Sequence, residues 1–171
     1  MDLIWPRAET IELLKKHFGV ATREDVFKRL SIDFRWIPVA TRYPAFEKRV
    51  NGKLGGVAPG AGAEYIFHDE RTFENHWGVV RQVGADGKYL EWKGGPLVGK
   101  QSLSGWHVPE TIYPSVAQIK AGLRPFSDYV LVAEIEYPFK IAWQICSYEH
   151  FMTLMALNPE MVEAQRISAT R

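Results

Sequence analysis

The chain has 171 residues, 46% hydrophobic and 24% charged, an ordinary globular composition that excludes a disordered or fibrous protein. Lys and Arg total 21 against 20 Asp and Glu, a net charge of +1, and the cations are scattered, so no nucleic-acid partner is expected. No apolar run nears the ~20 residues of a membrane span and no signal-type segment opens the chain, so no membrane partner and a cytoplasmic location are expected. The single Cys146 excludes an internal disulfide and a multi-cysteine zinc site.

Residues 10–18 place Ile11, Leu14 and Phe18 at helical spacing, with Lys15, Lys16 and His17 near the end and Gly19 as a stop. Thr22 with Asp25 three positions on reads as the cap of a second helix carrying Val26, Phe27 and Leu30. From Ile32 the period becomes two, with Ile32, Phe34 and Trp36 on one face and Asp33 and Arg35 on the other, which predicts a half-exposed strand ending near Pro38. Residues 43–63 are rich in Gly and Pro and without a period; they read as a long loop, either a lid or a mobile connection. Residues 77–83 and 88–92 form a predicted β-hairpin around Gly84-Ala85-Asp86-Gly87. A short helix over 115–123 starts at Ser115 as its cap. Residues 129–135 are almost continuously apolar, as in a strand of a parallel sheet covered on both faces, and helices follow Pro138 and Asn158-Pro159. No second run of that kind is apparent, so the pattern leads to an α/β chain that stops after the first βα unit of a larger sheet, with an open strand edge that favours self-association.

The segments Leu30-Ser31-Ile32-Asp33-Phe34-Arg35-Trp36, Trp77-Gly78-Val79, Gly94-Gly95-Pro96-Leu97, Phe139-Lys140-Ile141-Ala142-Trp143-Gln144-Ile145 and Tyr148-Glu149-His150-Phe151, in this order, resemble the N-terminal part of the uroporphyrinogen decarboxylase-like family. The resemblance implies an incomplete (β/α)8 barrel. Residues 1–127 would form an N-terminal helical and β-hairpin region, and 128–171 the first strand and helices of the barrel, within one segment. Such a barrel needs roughly 250 residues to close, so no activity is expected of the segment alone. The family more often has acidic and glycine residues where this sequence carries Lys140 and Ser147.

Two chemistries follow from the resemblance. A porphyrin-biosynthetic decarboxylase must hold a tetrapyrrole with eight carboxylates, which calls for clustered guanidinium groups. The family's arginine-rich N-terminal motif is missing here, and Arg35, Arg42 and Arg49 are the nearest substitutes. The methyltransferase branch uses a methyl donor or a corrinoid protein, and a complete member can hold zinc to make a thiolate. No cofactor is expected within this segment. Absence of the arginine motif puts methyl transfer ahead of decarboxylation, with a non-catalytic aromatic-rich binding module as the third reading. The catalytic candidates are Glu134 and Glu136, on one side of the last strand, and Lys140 beyond its C-terminal end, where barrel active sites are assembled. The substrate-binding candidates are Arg35, Arg42 and His76. Each has a plainer role open to it: ion pairing for the charged groups, a backbone hydrogen bond at a turn edge for His76. Cys146 and His150, four apart, could share a helix face as a thiolate pair, against simple core packing for the cysteine.

Overall fold

The computed structural model describes residues 8–37, 41–55, 63–87, 89–133 and 138–163. In chain order the elements are α1 Ala8–Phe18, α2 Arg23–Arg29, β1 Phe34–Ile37, α3 Pro44–Glu47, β2 Gly52–Lys53, β3 Glu64–Phe67, β4 Thr72–Glu74, β5 Val80–Val83, β6 Leu90–Gly94, α4 Val116–Leu123, a 3₁₀ turn Arg124–Phe126, β7 Val130–Ala133, α5 Pro138–Cys146 and α6 Tyr148–Leu157. They fall into two units, each assembled from two stretches of chain: Met1–Val39 with Pro114–Glu134, and Ala40–Tyr113 with Ile135–Arg171.

In the first unit, α1 ends at Gly19, whose φ of +64° only glycine adopts freely, while Val20 N–H returns to the Lys15 carbonyl at 3.0 Å. Thr22 caps α2: its hydroxyl oxygen accepts from Asp25 N–H at 3.1 Å and its hydroxyl donates to the Asp25 carboxylate at 2.6 Å. The two helices bury Ile11, Val26 and Phe27, with Leu14, Phe18, Val20 and Ile32 packed around them. Helix α4 carries the full reciprocal cap, with Ser115 and Gln118 each satisfying the other's backbone N–H.

Strand β7 corrects the expectation of an unpartnered buried strand. It pairs in parallel with β1, in the register Phe34↔Val130 to Ile37↔Ala133. The partner is the segment that alternates in sequence, about a hundred residues earlier, so its pattern alone does not show what it pairs with. Among the described residues this sheet has two strands, and Val130 stays 64% exposed.

In the second unit, β2 to β6 form an antiparallel meander in sequential order. The predicted hairpin is its last pair, β5 and β6, closed through Gly87 at φ +69°. The stretch expected to be one long loop contains α3 and β2; 56–62 lie outside the described residues. Asn51 extends the pairing by side chain, donating to the Phe67 carbonyl at 2.9 Å and accepting from Phe67 N–H at 2.6 Å. Helices α5 and α6 complete the main core with Val79, Leu97, Ile141, Ala142, Ile145, Cys146 and Phe151. The C-terminal end of α5 docks on the chain leaving β6. Leu97 N–H donates to the Ile145 carbonyl at 2.8 Å and Trp92 Nε1–H to the Gln144 carbonyl at 2.7 Å. Gly95 has to be glycine there, because a Cβ would press into those same two carbonyl groups.

Candidate functional site

Arg35 is not on a solvated face, as strand alternation suggested, but buried, with 4% of its surface exposed. Its Nε and Nη2 hold both oxygens of Glu24, at 2.9 and 2.7 Å, and Nη1 donates to the carbonyls of Ile32 and Phe34 at 2.6 and 2.8 Å. The guanidinium carbon lies 3.8 Å from the Tyr129 ring centroid and 5.4 Å from that of Phe27. Burying a charge demands such complete pairing. The hydrogen bond from Arg35 holds the Glu24 carboxyl below its ordinary value, and Glu24 in turn raises the guanidinium. All this fastens β1 to α2.

Arg42 and Arg49 are also engaged. Arg42 donates to both oxygens of Glu47, at 3.2 and 2.6 Å. Arg49 lies 3.6 Å from Glu74, which His68 approaches to 3.3 Å. Lys140 is half-buried in the first turn of α5; Glu134 and Glu136 lie outside the described residues.

The suggested pairing of Cys146 with His150 on one helix face is not built. Ser147, at φ +78°, ends α5 and caps α6, accepting from His150 N–H at 3.2 Å. The two side chains therefore belong to different helices. Cys146 Sγ donates to the Ala142 carbonyl at 3.1 Å, and His150 Nε2 lies 2.8 Å from the Lys100 carbonyl. No group of three His, Cys, Asp or Glu side chains among the described residues is arranged to hold a metal.

His76 occupies the most chemically distinctive position. Asn75 builds the turn that carries it: Asn75 Oδ1 accepts from Trp77 N–H and Val79 N–H, both at 3.0 Å, and Gly78 supplies φ +74°. Instead of the expected backbone hydrogen bond, the imidazole stacks on Tyr43, with centroids 3.7 Å apart and planes at 14°. Phe46 meets it edge-on at 6.0 Å and Trp77 lies at 5.6 Å. Burial alone pushes the His76 pKa from 6.5 down to about 4, which corresponds to a preference for the neutral ring on the order of 3 kcal/mol. Cation–π attraction opposes this but contributes only about 0.5–2 kcal/mol, so desolvation wins. The neighbouring Trp77 Nε1–H is shielded from water without an acceptor among the described residues. Sequence reasoning found His76 but not Tyr43 and Phe46; the aromatic pair at a three-residue interval in Tyr43-Pro44-Ala45-Phe46 was the available signal.

No family model matches the chain, and no curated protein does. Among solved structures, a methyltransferase from Methanosarcina mazei is similar at a TM-score of 0.40 and 18% identity, over 56% of this chain and 30% of that one. The chain thus corresponds to under a third of that protein's length. No helix among the described residues is long and apolar enough to cross a membrane.

Proposed function

We propose that this chain is the N-terminal part of a methyl-transfer protein of the uroporphyrinogen decarboxylase-like class, one that works with a corrinoid protein or other methyl donor and has no turnover as this segment alone. The observation that carries the choice of chemistry is the engagement of the arginines. Arg35 is buried and held by Glu24, while the exposed Arg42 and Arg49 pair at the surface with Glu47 and Glu74, so the buried guanidinium is committed to a carboxylate of the chain rather than to those of an eight-carboxylate tetrapyrrole. The parallel pairing of β7 with β1 is compatible with a βα architecture that continues into a larger parallel sheet. The two-stranded sheet and exposed Val130 support the further proposal that the chain self-associates through a strand edge.

Calorimetric titration of the chain with methylcobalamin and with an octacarboxylic porphyrin tests this reading. Saturable heat is expected from the corrinoid only, with no methyl transfer to a thiol. Saturable porphyrin binding would return the decarboxylase to first place, and binding of neither would remove both. Sedimentation at micromolar concentration should show dimers or larger species; a clean monomer refutes the self-association.

A further inference from the structure

The imidazole of His76 has no hydrogen-bonding or ionic partner among the described residues, while its face is covered by Tyr43 and its edge is approached by Phe46. Phe46 belongs to a four-residue helix, α3, none of whose residues is fully buried, and Tyr43 stands at its N-cap, where its side chain makes no cap hydrogen bond and its backbone N–H donates to Glu47 Oε1 at 3.2 Å. Aromatic packing on His76 joins this short segment to the 75–78 turn, beside the paired backbone hydrogen bonds that Arg42 makes with Ile112. We propose that the stack is an acid-sensitive latch: a neutral His76 holds residues 43–46 against the 75–78 turn, and a proton taken from solvent onto the ring releases them.

The charged groups on the elements that meet His76 are already committed. On the α3 side, Glu47 is bound by Arg42. On the strand leading into the turn, Glu74 is approached by Arg49 and His68. Tyr43 is in direct contact with the ring, stacked on its face. Among the described residues no carboxylate forms a hydrogen bond or ion pair with the imidazole that would stabilise its charged form in the closed state. The closed ring takes up its proton near pH 4, whereas a released ring does so at its ordinary 6.5. The open form is thus favoured progressively as pH falls between those values. The difference multiplies the open-to-closed ratio by up to about 300-fold once both forms are protonated.

Ring-resolved NMR of the whole chain between pH 7 and 3.5 tests the latch. The His76 ring resonance is expected to move well below pH 6.5, in step with loss of the ring-current shifts of Tyr43 and Phe46. In His76→Phe, which can keep the stack but cannot titrate, those shifts should persist to lower pH. If the whole unit unfolds in acid, its midpoint should fall to lower pH in His76→Phe. A His76 transition at or above 6.5, Tyr43 and Phe46 signals that ignore it, or an acid midpoint unchanged by the substitution would each overturn the proposal.

Discussion

The two units solve the same problem, burying enough surface to hold short elements, in opposite ways. The first buries three apolar side chains in its core cluster among the described residues, Ile11, Val26 and Phe27, and relies on a polar joint: one buried guanidinium satisfied by a carboxylate and two carbonyls. The second has a larger apolar cluster and seats a helix end directly on loop backbone beside Gly95. A polar joint is sensitive to charge and pH, whereas a close backbone contact is sensitive to a single added carbon.

Gly95→Ala should do the greatest harm. Its Cβ meets backbone carbonyls that cannot swing aside, so a loss of about 3 kcal/mol is expected. Amide exchange should rise in β6 and α5 while α1 and α2 keep their protection; equal loss in both units would break the contrast.

Glu24→Gln comes next, at about 2 kcal/mol, because it leaves Arg35 buried with a weaker, neutral acceptor. Exchange should then accelerate in α2 and β1. The wild-type joint also has a defined pH response. Since the folded Glu24 carboxyl is held below its ordinary 4.5, its contribution is fully present above that value and disappears as pH falls through the lower folded one. The acid limb attributable to Glu24 should vanish in the variant, and a limb that persists unchanged would place the sensitivity elsewhere.

Ser115→Ala removes the capping box of α4 and should cost about 1 kcal/mol in thermal unfolding. The smallest effect is a gain. Ser147 sits at φ +78° and ψ 152°, a region favourable to glycine, while replacing a serine cap by glycine costs only a few tenths of a kcal/mol. Ser147→Gly is therefore expected to stabilise by about 0.5 kcal/mol; a clear loss in melting temperature would mean that the cap outweighs the strain.

Sequence-local features were readable because their causes lie within a few residues. Thr22 and Ser115 cap through residues three positions away, Gly19 stops α1 through its own backbone freedom, and Gly87 closes the hairpin in the same manner. Strands β3 and β4 escaped notice although Tyr65-Ile66-Phe67 and Thr72-Phe73 are good strand formers, because each is too short for alternation to declare itself. At the candidate site His76 was visible as a residue, but its Tyr43 cover lies 33 positions earlier, so its burial and lowered pKa were not.

Amino-acid order by itself determined the caps, the stops and the tight reversal, since each depends on dihedral preference or a hydrogen bond spanning one turn. Tertiary structure alone decided that β1 is the parallel partner of β7, that Arg35 is spent inside the first unit, and that Gly95 must remain bare against α5. Those outcomes depend on which distant surfaces meet, and a side chain's solvation changes sign with that meeting: the same arginine is a free cation in water and a structural bolt once Glu24 reaches it.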